Sequence, residues 1–320
     1  MAQPEHWANP VTTRSLVMLE IAAALVAGDD VTLQQAQVQL KQQGSGGWNL
    51  RLFGSGAFDG IDAVLRREAD LATINPAQGL MMAHRGLGPY ASPQPVRQIA
   101  VIPSYDTYAF AVRPELGLAC FEDIAVKKPR LVFALRGQRE HCMNVILRDL
   151  CKAAGFALED INSWGGEVRY DGTLPFPDGP KFAAAVKGET NALIDEAADV
   201  WTNEAIDAGL VMLPMAAETV AKLEARGYRG GVMKKSMYPK LPRDYPTIDF
   251  SGWPIFCHAE LHEERVRAIC EALDRRKHLI LWQGAGPLPV ERMCREAEDT
   301  PQLVPYHPAA ERYWRERGYL

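Results

Sequence analysis

The chain has 320 residues, which is enough for one or two domains that each bury a hydrophobic core. Hydrophobic residues make up 47% and charged residues 23%, as in ordinary globular proteins, and a net charge of −5 gives no indication of a nucleic-acid partner. The six cysteines are scattered without a CxxC pair or a zinc-binding spacing, so we expect reduced thiols and no metal site.

The first element is an apolar segment over residues 15–28. It is shorter than the roughly 20 apolar residues that span a bilayer. It is also a poor secretory leader, because Arg14 is the only Lys or Arg before it and Glu20 interrupts it. We therefore predict a buried helix and no membrane insertion, and an intracellular location for the chain as it stands. The Gln-rich residues 29–43 predict a surface helix.

Residues 48–76 read as a strand, a Gly-rich turn, a helix and a second strand. Two strands joined by such a helix make a parallel βαβ unit. Ligands in open α/β sheets bind beyond the carboxyl ends of the strands. Ser55, in the turn after the first strand, and Asn75, at the end of the second, are therefore candidate ligand-binding residues.

A pair of strands follows at residues 97–102 and 107–112, separated by a short polar turn. A tandem of strands broken in this way predicts a hinge that passes from one lobe to another. Ser104 and Tyr105 lie in this turn and are candidates for lining the cleft between the lobes.

Residues 131–135 form an apolar run typical of a buried strand, and a helix to Ala154 follows the turn that begins at Arg136. A helix N-terminus favours an anion, and an arginine adds a charged, planar donor. Arg136 and Gln138 are therefore candidate ligands for a carboxylate or a similar anion. In the alternative interpretation Arg136 is a surface residue paired with Glu140 or Asp149.

The helix–turn–strand pattern of the first βαβ unit returns at residues 182–197, where Glu196 aligns with Asn75. Either Asp195 or Glu196 can enter the cleft, because adjacent strand residues face opposite ways. A strand region at 247–261 then returns to the first lobe and carries Trp253, a further cleft candidate. The repeat predicts two lobes, residues 1–105 with 245–320 and residues 106–244.

The order of four stretches resembles the TAXI-type solute receptors of TRAP transporters. The stretches are READLATI at 67–74, the strand and helix at 131–156, VKGETNALI at 186–194 and YHPAAERYW at 306–314. The resemblance implies a two-lobed α/β fold of the type II periplasmic-binding-protein class, with a hinge and an interlobe cleft. It also implies a periplasmic protein that serves a membrane transporter. The chain departs from the family in the charged turn at Arg136, and we expect no leader where the family has one.

No nucleophile–base pair, P-loop or metal-binding motif occurs, and the histidines of HAELH at 258–262 fall on a predicted strand. We therefore expect no catalytic residue and no cofactor. The sequence favours a solute-binding protein that captures a small, anionic organic ligand by hinge closure. The alternatives are a cytoplasmic enzyme of decarboxylase or hydrolase type, or a ligand sensor, on the same fold.

Overall fold

A computed structural model describes residues 10–27, 35–41 and 49–320 of the chain. The chain divides into two compact units, Met1–Ala36 and Gln37–Leu320. The first unit contains helix α1 (Pro10–Val26). No helix among the described residues combines the length and the apolar character needed to cross a membrane.

Helix α1 begins five residues before the predicted helix, and the predicted burial is wrong. Its large apolar side chains are exposed: Val17, Met18, Leu19, Ile21, Leu25 and Val26. These side chains spread over more than half of the helix circumference instead of forming one narrow stripe. The helix therefore lacks the single apolar face by which an amphipathic helix packs on a core.

The second unit contains the strands and the remaining helices. The strands are β1 (Ala36–Lys41), β2 (Asn49–Gly54), β3 (Leu71–Thr73), β4 (Val96–Ile102), β5 (Ala109–Val112), β6 (Val132–Arg136), β7 (Glu167–Gly172), β8 (Ala192–Asp195), β9 (Val211–Met212), β10 (Gly230–Met233), β11 (Tyr245–Ile248) and β12 (Trp253–His258). The helices are α2 (Asp59–Leu65), α3 (Ala77–Arg85), α4 (Asp123–Lys127), α5 (Cys142–Ala153), α6 (Asp160–Ser163), α7 (Pro180–Lys187), α8 (Ala198–Asp207), α9 (Ala217–Glu224), α10 (Glu263–Arg276), α11 (Val290–Met293) and α12 (Pro308–Glu316).

Strand β1 corrects the helix expected at residues 29–43. Ala36, Val38 and Leu40 alternate with polar residues, and this period of two is the pattern of a strand. The rest of the expected helix, residues 29–34 and 42–43, lies outside the described residues.

The first sheet has the strand order β1-β2-β3-β12-β4. Strands β2 and β3 are parallel and are joined by α2, so the predicted βαβ unit is confirmed. Strand β12 is antiparallel to both β3 and β4. The fourth position of this sheet is therefore filled by a strand from the far end of the chain.

The second group of strands repeats this arrangement. Strand β5 is antiparallel to β8 and β9, and β6 is parallel to β7. Strand β6 lies beside β8, because the Asn191 N–H donates to Val132 O at one end and Arg136 contacts Asp195 at the other. The strands are hydrogen-bonded as two ladders, β7-β6 and β8-β5-β9, which these contacts place side by side in the order β7-β6-β8-β5-β9. We call this layer the second sheet, and its fourth strand, β5, follows directly from the first sheet.

The chain crosses between the sheets twice, after β4 and before β12, and the two crossings pair with each other. Thr107 and Asp249 form an antiparallel bridge, and the Gly252 N–H donates to Ser104 O at 2.8 Å. Paired strands at a crossing are the structural element expected of a hinge. The predicted two-lobed α/β fold is thus confirmed, while the lobe boundaries stay a prediction.

The C-terminal helices pack on the first sheet. Helices α10, α11 and α12 share one hydrophobic cluster with residues of β2, β3, β4 and β12. Trp314 of α12 is fully buried there, and its Nε1 donates to Ile99 O at 2.8 Å. The last helix therefore depends on the same core as the first sheet.

We expect Trp314→Ala to lower the free energy of unfolding by about 3–5 kcal/mol, because it removes a large buried side chain and leaves a cavity. Urea denaturation followed by circular dichroism measures this loss. Leu281→Ala is the control, since Leu281 is 83% exposed, and we expect it to change the free energy of unfolding by less than about 0.5 kcal/mol. Equal effects of the two changes would contradict the assignment of α12 to this core.

Candidate functional site

Strand ends from both sheets meet at one carboxylate. Asn75 follows β3 of the first sheet, Arg136 ends β6, and Glu196 follows β8. Asn75 Nδ2 donates to Glu196 Oε2 at 2.7 Å, and Arg136 Nη2 donates to Glu196 Oε1 at 2.7 Å. We call this three-residue contact the Glu196 bridge. It lies at the carboxyl ends of parallel strands, where α/β proteins bind ligands.

Arg136 also belongs to a buried ionic cluster within the second sheet. Its Nε and Nη2 donate to Asp195 Oδ1 at 3.0 and 2.9 Å. Lys181 Nζ of α7 donates to Asp195 Oδ2 at 2.5 Å. Two cations, Arg136 and Lys181, thus face two carboxylates, Asp195 and Glu196, and the cluster is neutral when all four are charged. Arg136 is not the exposed arginine of the alternative interpretation.

Burial and partners act in opposite directions on these groups. Burial raises the pKa of Asp195, but Lys181 and Arg136 outweigh it and the net shift is downward. Burial lowers the pKa of Lys181 more than Asp195 raises it. Burial raises the pKa of Glu196 to about 7, although Arg136 opposes the shift. Glu196 is therefore poised to change charge near neutral pH.

The turn after β6 is fixed from several sides. Asn144 Nδ2 donates to Arg136 O at 2.9 Å and to Gln138 O at 2.8 Å. His141 caps α5, its Nδ1 accepting from the Met143 N–H, and its Nε2 lies 3.8 Å from Glu196 Oε1. Burial and Arg136 lower the pKa of His141 to about 4, so it is neutral at pH 7. Gln138 contributes a backbone carbonyl to this turn.

The first sheet approaches this turn with its own loop. Ala57 forms an antiparallel bridge with His141, which joins the loop after β2 to the start of α5. Ser55 is buried in this loop, and its Oγ donates to Asp59 Oδ1 at 2.5 Å and accepts from the Ala57 N–H. Ser55 thus orders the loop that faces the Glu196 bridge.

Three other predicted site residues lie at the crossings. Ser104 is buried and pairs through its backbone with Gly252 and Asp299. The Tyr105 hydroxyl donates to Val232 O at 2.9 Å, and burial raises its pKa to about 12. Trp253 begins β12 opposite Ile102 and is half-buried. These recorded contacts do not include Asn75, Arg136 or Glu196.

The sequence did not single out Lys181, Asp106 or Asn144. Lys181 lies in the first turn of α7 and its carboxylate partner lies on β8, so no spacing pattern connects them. Asp106 accepts from the Ala197 and Ala198 N–H groups, which fixes the backbone after Glu196. The sequence feature that indicates a role for Asp106 is its position in the polar turn, directly after Tyr105. The Trp201 Nε1 donates to Glu196 O.

The described residues contain no group of three or more His, Cys, Asp or Glu side chains placed to hold a metal ion. What the arrangement offers is hydrogen bonding: two donors, from different sheets, converge on one carboxylate. Such charge-assisted bonds are stronger than neutral ones. Asn75 and Arg136 thus hold a carboxylate that belongs to the chain itself.

We expect Lys181→Met to lower the free energy of unfolding by about 3–5 kcal/mol, because Asp195 would be left with Arg136 as its one cationic partner in the described cluster. Urea denaturation at pH 7 measures the change. Lys187→Met is a matched control in the same helix, since Lys187 is exposed, and should lie within about 0.5 kcal/mol of wild type. A mild effect of Lys181→Met would contradict the cluster.

The raised pKa of Glu196 gives a pH prediction for stability. The folded protein keeps a proton on Glu196 that the unfolded chain has lost, so this group lowers the free energy of unfolding as pH rises from about 4.5 to about 7. Glu196→Gln removes this dependence. The free energy of unfolding of Glu196→Gln minus that of wild type should therefore rise by about 1–3 kcal/mol between pH 5 and pH 8. A constant difference across this range would contradict the shifted pKa.

Comparison with known proteins gives a family and several structures of low similarity. The chain is similar to the ATP phosphoribosyl transferase (HisG:HisZ) complex from Thermotoga maritima, with 11% identity, a TM-score of 0.39 and coverage of 84% of this chain and 93% of that chain. It is also similar to PhnD1 from Prochlorococcus marinus in complex with methylphosphonate, with 11% identity, a TM-score of 0.39 and coverage of 82% and 84%. An ABC transporter from Parabacteroides distasonis gives 12% identity, a TM-score of 0.31 and coverage of 75% and 71%.

A search of curated proteins found no match. The model of one protein family, described as the NMT1-like family, matches residues 33–318. This match spans most of the 320 residues and includes both sheets from β1 to β12. The chain therefore belongs to the NMT1-like family.

Proposed function

We propose that the chain is a solute-binding protein and that a small organic anion binds at the Glu196 bridge. The observation that carries the proposal is the convergence of Asn75 and Arg136 on one carboxylate from two different sheets. A ligand held by both donors connects the sheets directly. Membership of the NMT1-like family supports a binding role.

The mechanism we infer is closure around the ligand. The two sheets are joined by only two described crossings, so a rotation at the paired crossing strands separates Asn75 from Arg136. A ligand that contacts both residues favours the closed arrangement by its differential affinity for it. The Ala57–His141 bridge is a second contact between the sheets that closure forms.

The proposal includes the narrower prediction from the sequence, a TAXI-type receptor in the periplasm that delivers its solute to a TRAP-type membrane transporter. Its support is the order of the four sequence stretches. The ligand class follows from the donors, because an amide and a guanidinium both donate to a carboxylate or phosphonate oxygen. Screening such acids by thermal shift identifies the solute, since a ligand of the folded state raises the melting temperature.

Asn75 offers a sharper test of the site than Arg136. Arg136→Ala would leave two buried carboxylates with one cation and would destabilise the fold itself. Asn75 is half-buried and donates one hydrogen bond to Glu196. Asn75→Ala should weaken binding of the identified solute about 10- to 100-fold, the usual effect of losing a hydrogen bond to a charged group. Isothermal titration calorimetry measures the affinity.

The matched control is Asn191→Ala. Asn191 bonds through its side chain to the Val132 N–H and to Arg130 O, just before β8 and at the opposite end of that strand from Glu196. This change should lower stability and leave the affinity within about twofold of wild type. Unchanged affinity in Asn75→Ala, with its fold intact by circular dichroism, would place the ligand elsewhere.

A further inference from the structure

The structure holds the donors of the proposed site on a carboxylate that belongs to the chain itself. Glu196 Oε1 and Oε2 each lie 2.7 Å from one donor, Arg136 Nη2 and Asn75 Nδ2. Its side chain is 6% exposed. Glu196 thus occupies the position that a ligand carboxylate would take, and this has a consequence for which ligands bind.

We propose that Glu196 is a built-in competitor that sets the specificity of the site: an anion binds there only as Glu196 takes up a proton and releases Asn75 and Arg136. This inference rests on the proposed function. It makes Glu196 a specificity-determining residue, and it makes the binding of a carboxylate proton-linked.

The argument is first one of charge. Arg136 and Lys181 balance Asp195 and Glu196 when all four are charged. A further anion would add an unbalanced negative charge beside a buried carboxylate, and two carboxylates that share one site do not both stay ionised. A proton on Glu196 makes the total charge of the cluster and the bound anion zero again. A neutral Glu196 can also be released by Asn75 and Arg136 without leaving a buried charge unpaired.

The groups around Glu196 then identify where the proton goes. Arg136 faces it from β6, Asp195 from β8, Lys181 from α7 and His141 from the start of α5. Partners hold the pKa of Asp195 low and that of Arg136 high despite burial, so both stay charged. Burial lowers the pKa of His141 to about 4, which leaves it neutral. Burial raises the pKa of Glu196 to about 7.

Asp106 is a further acid near this contact, together with the Tyr108 hydroxyl and the Cys142 thiol, whose pKa values burial and nearby carboxylates raise so that both stay neutral. Asp106 faces Glu196 from the crossing after β4, and burial and Glu196 raise its pKa. Its oxygens already accept from the Ala197, Ala198 and Thr107 N–H groups and none of its recorded contacts reaches Asn75 or Arg136. Asp106→Asn therefore tests whether this acid, and not Glu196, takes up the proton.

The first experiment uses acetate as a stand-in for the side-chain carboxylate. Glu196→Ala removes the competitor and leaves the donors of Asn75 and Arg136. We expect acetate to raise the melting temperature of this variant by about 2 °C or more, and neutral acetamide to raise it less. In Glu196→Ala/Asn75→Ala, acetate and acetamide should have the same effect. Equal shifts by acetate and acetamide in Glu196→Ala would overturn the proposal.

The second experiment measures the proton. Acetate stays ionised between about pH 6 and about pH 8.5, so a pH effect on its binding reports on the protein. In wild type and in Asp106→Asn, we expect its affinity to fall by up to about tenfold per pH unit above about pH 7. At the upper end of this pH range, Glu196→Gln should bind acetate more tightly than wild type does, and its affinity should depend little on pH.

The outcomes separate this inference from the proposed function. A solute that binds wild type with pH-independent affinity, unchanged in Glu196→Gln, would leave the proposed function in place and overturn the role of Glu196. Rescue of Glu196→Ala by acetate, with no organic acid binding to wild type at any pH, would support the carboxylate position and contradict the proposed function.

Discussion

The hydrogen bonds of Asn75 and Arg136 to Glu196 are the contact on which this structure depends. A carboxylate that is almost fully buried is tolerated only when it is paired and hydrogen-bonded. Arg136 meets that requirement within the second sheet, where Asp195 and Lys181 complete a neutral cluster. Asn75 adds a bond from the first sheet. The same side chains therefore stabilise the buried charges and connect the two sheets.

The two crossings of the chain between the sheets explain why the contact between Asn75, Arg136 and Glu196 can also open. Strands β5 and β12 each take the fourth position of one sheet and are each reached by a crossing from the other sheet, and the segments that lead to them pair at Thr107 and Asp249. A paired crossing allows small rotation with little loss of hydrogen bonds. The Glu196 bridge lies beside this crossing, because Asp106 of the crossing accepts from the N–H groups of Ala197 and Ala198, which directly follow Glu196. A ligand that binds at the bridge therefore contacts both sheets next to the point about which they rotate.

Much of this architecture could be predicted from periodicity and from strand ends. The alignment of Asn75 with Glu196 placed both at equivalent strand ends, and in the structure their side chains are in contact. Sequence patterns do not predict contacts between side chains of different elements, such as Lys181 with Asp195. They also do not predict where the Tyr105 side chain points, and its hydroxyl donates to Val232 O. Residues 36–41 form a strand and not the expected helix, because their apolar residues alternate with a period of two, a signal that the neighbouring glutamines obscure.

A crystal structure of the protein with its bound solute tests the central claim most directly. The account predicts that a carboxylate or phosphonate oxygen of the solute lies within hydrogen-bond distance of both Asn75 Nδ2 and Arg136 Nη2, with the Glu196 side chain displaced from at least one of them. A solute bound instead in the surface groove lined by Lys277, Arg292 and Arg295, with the Glu196 bridge unchanged, would contradict it.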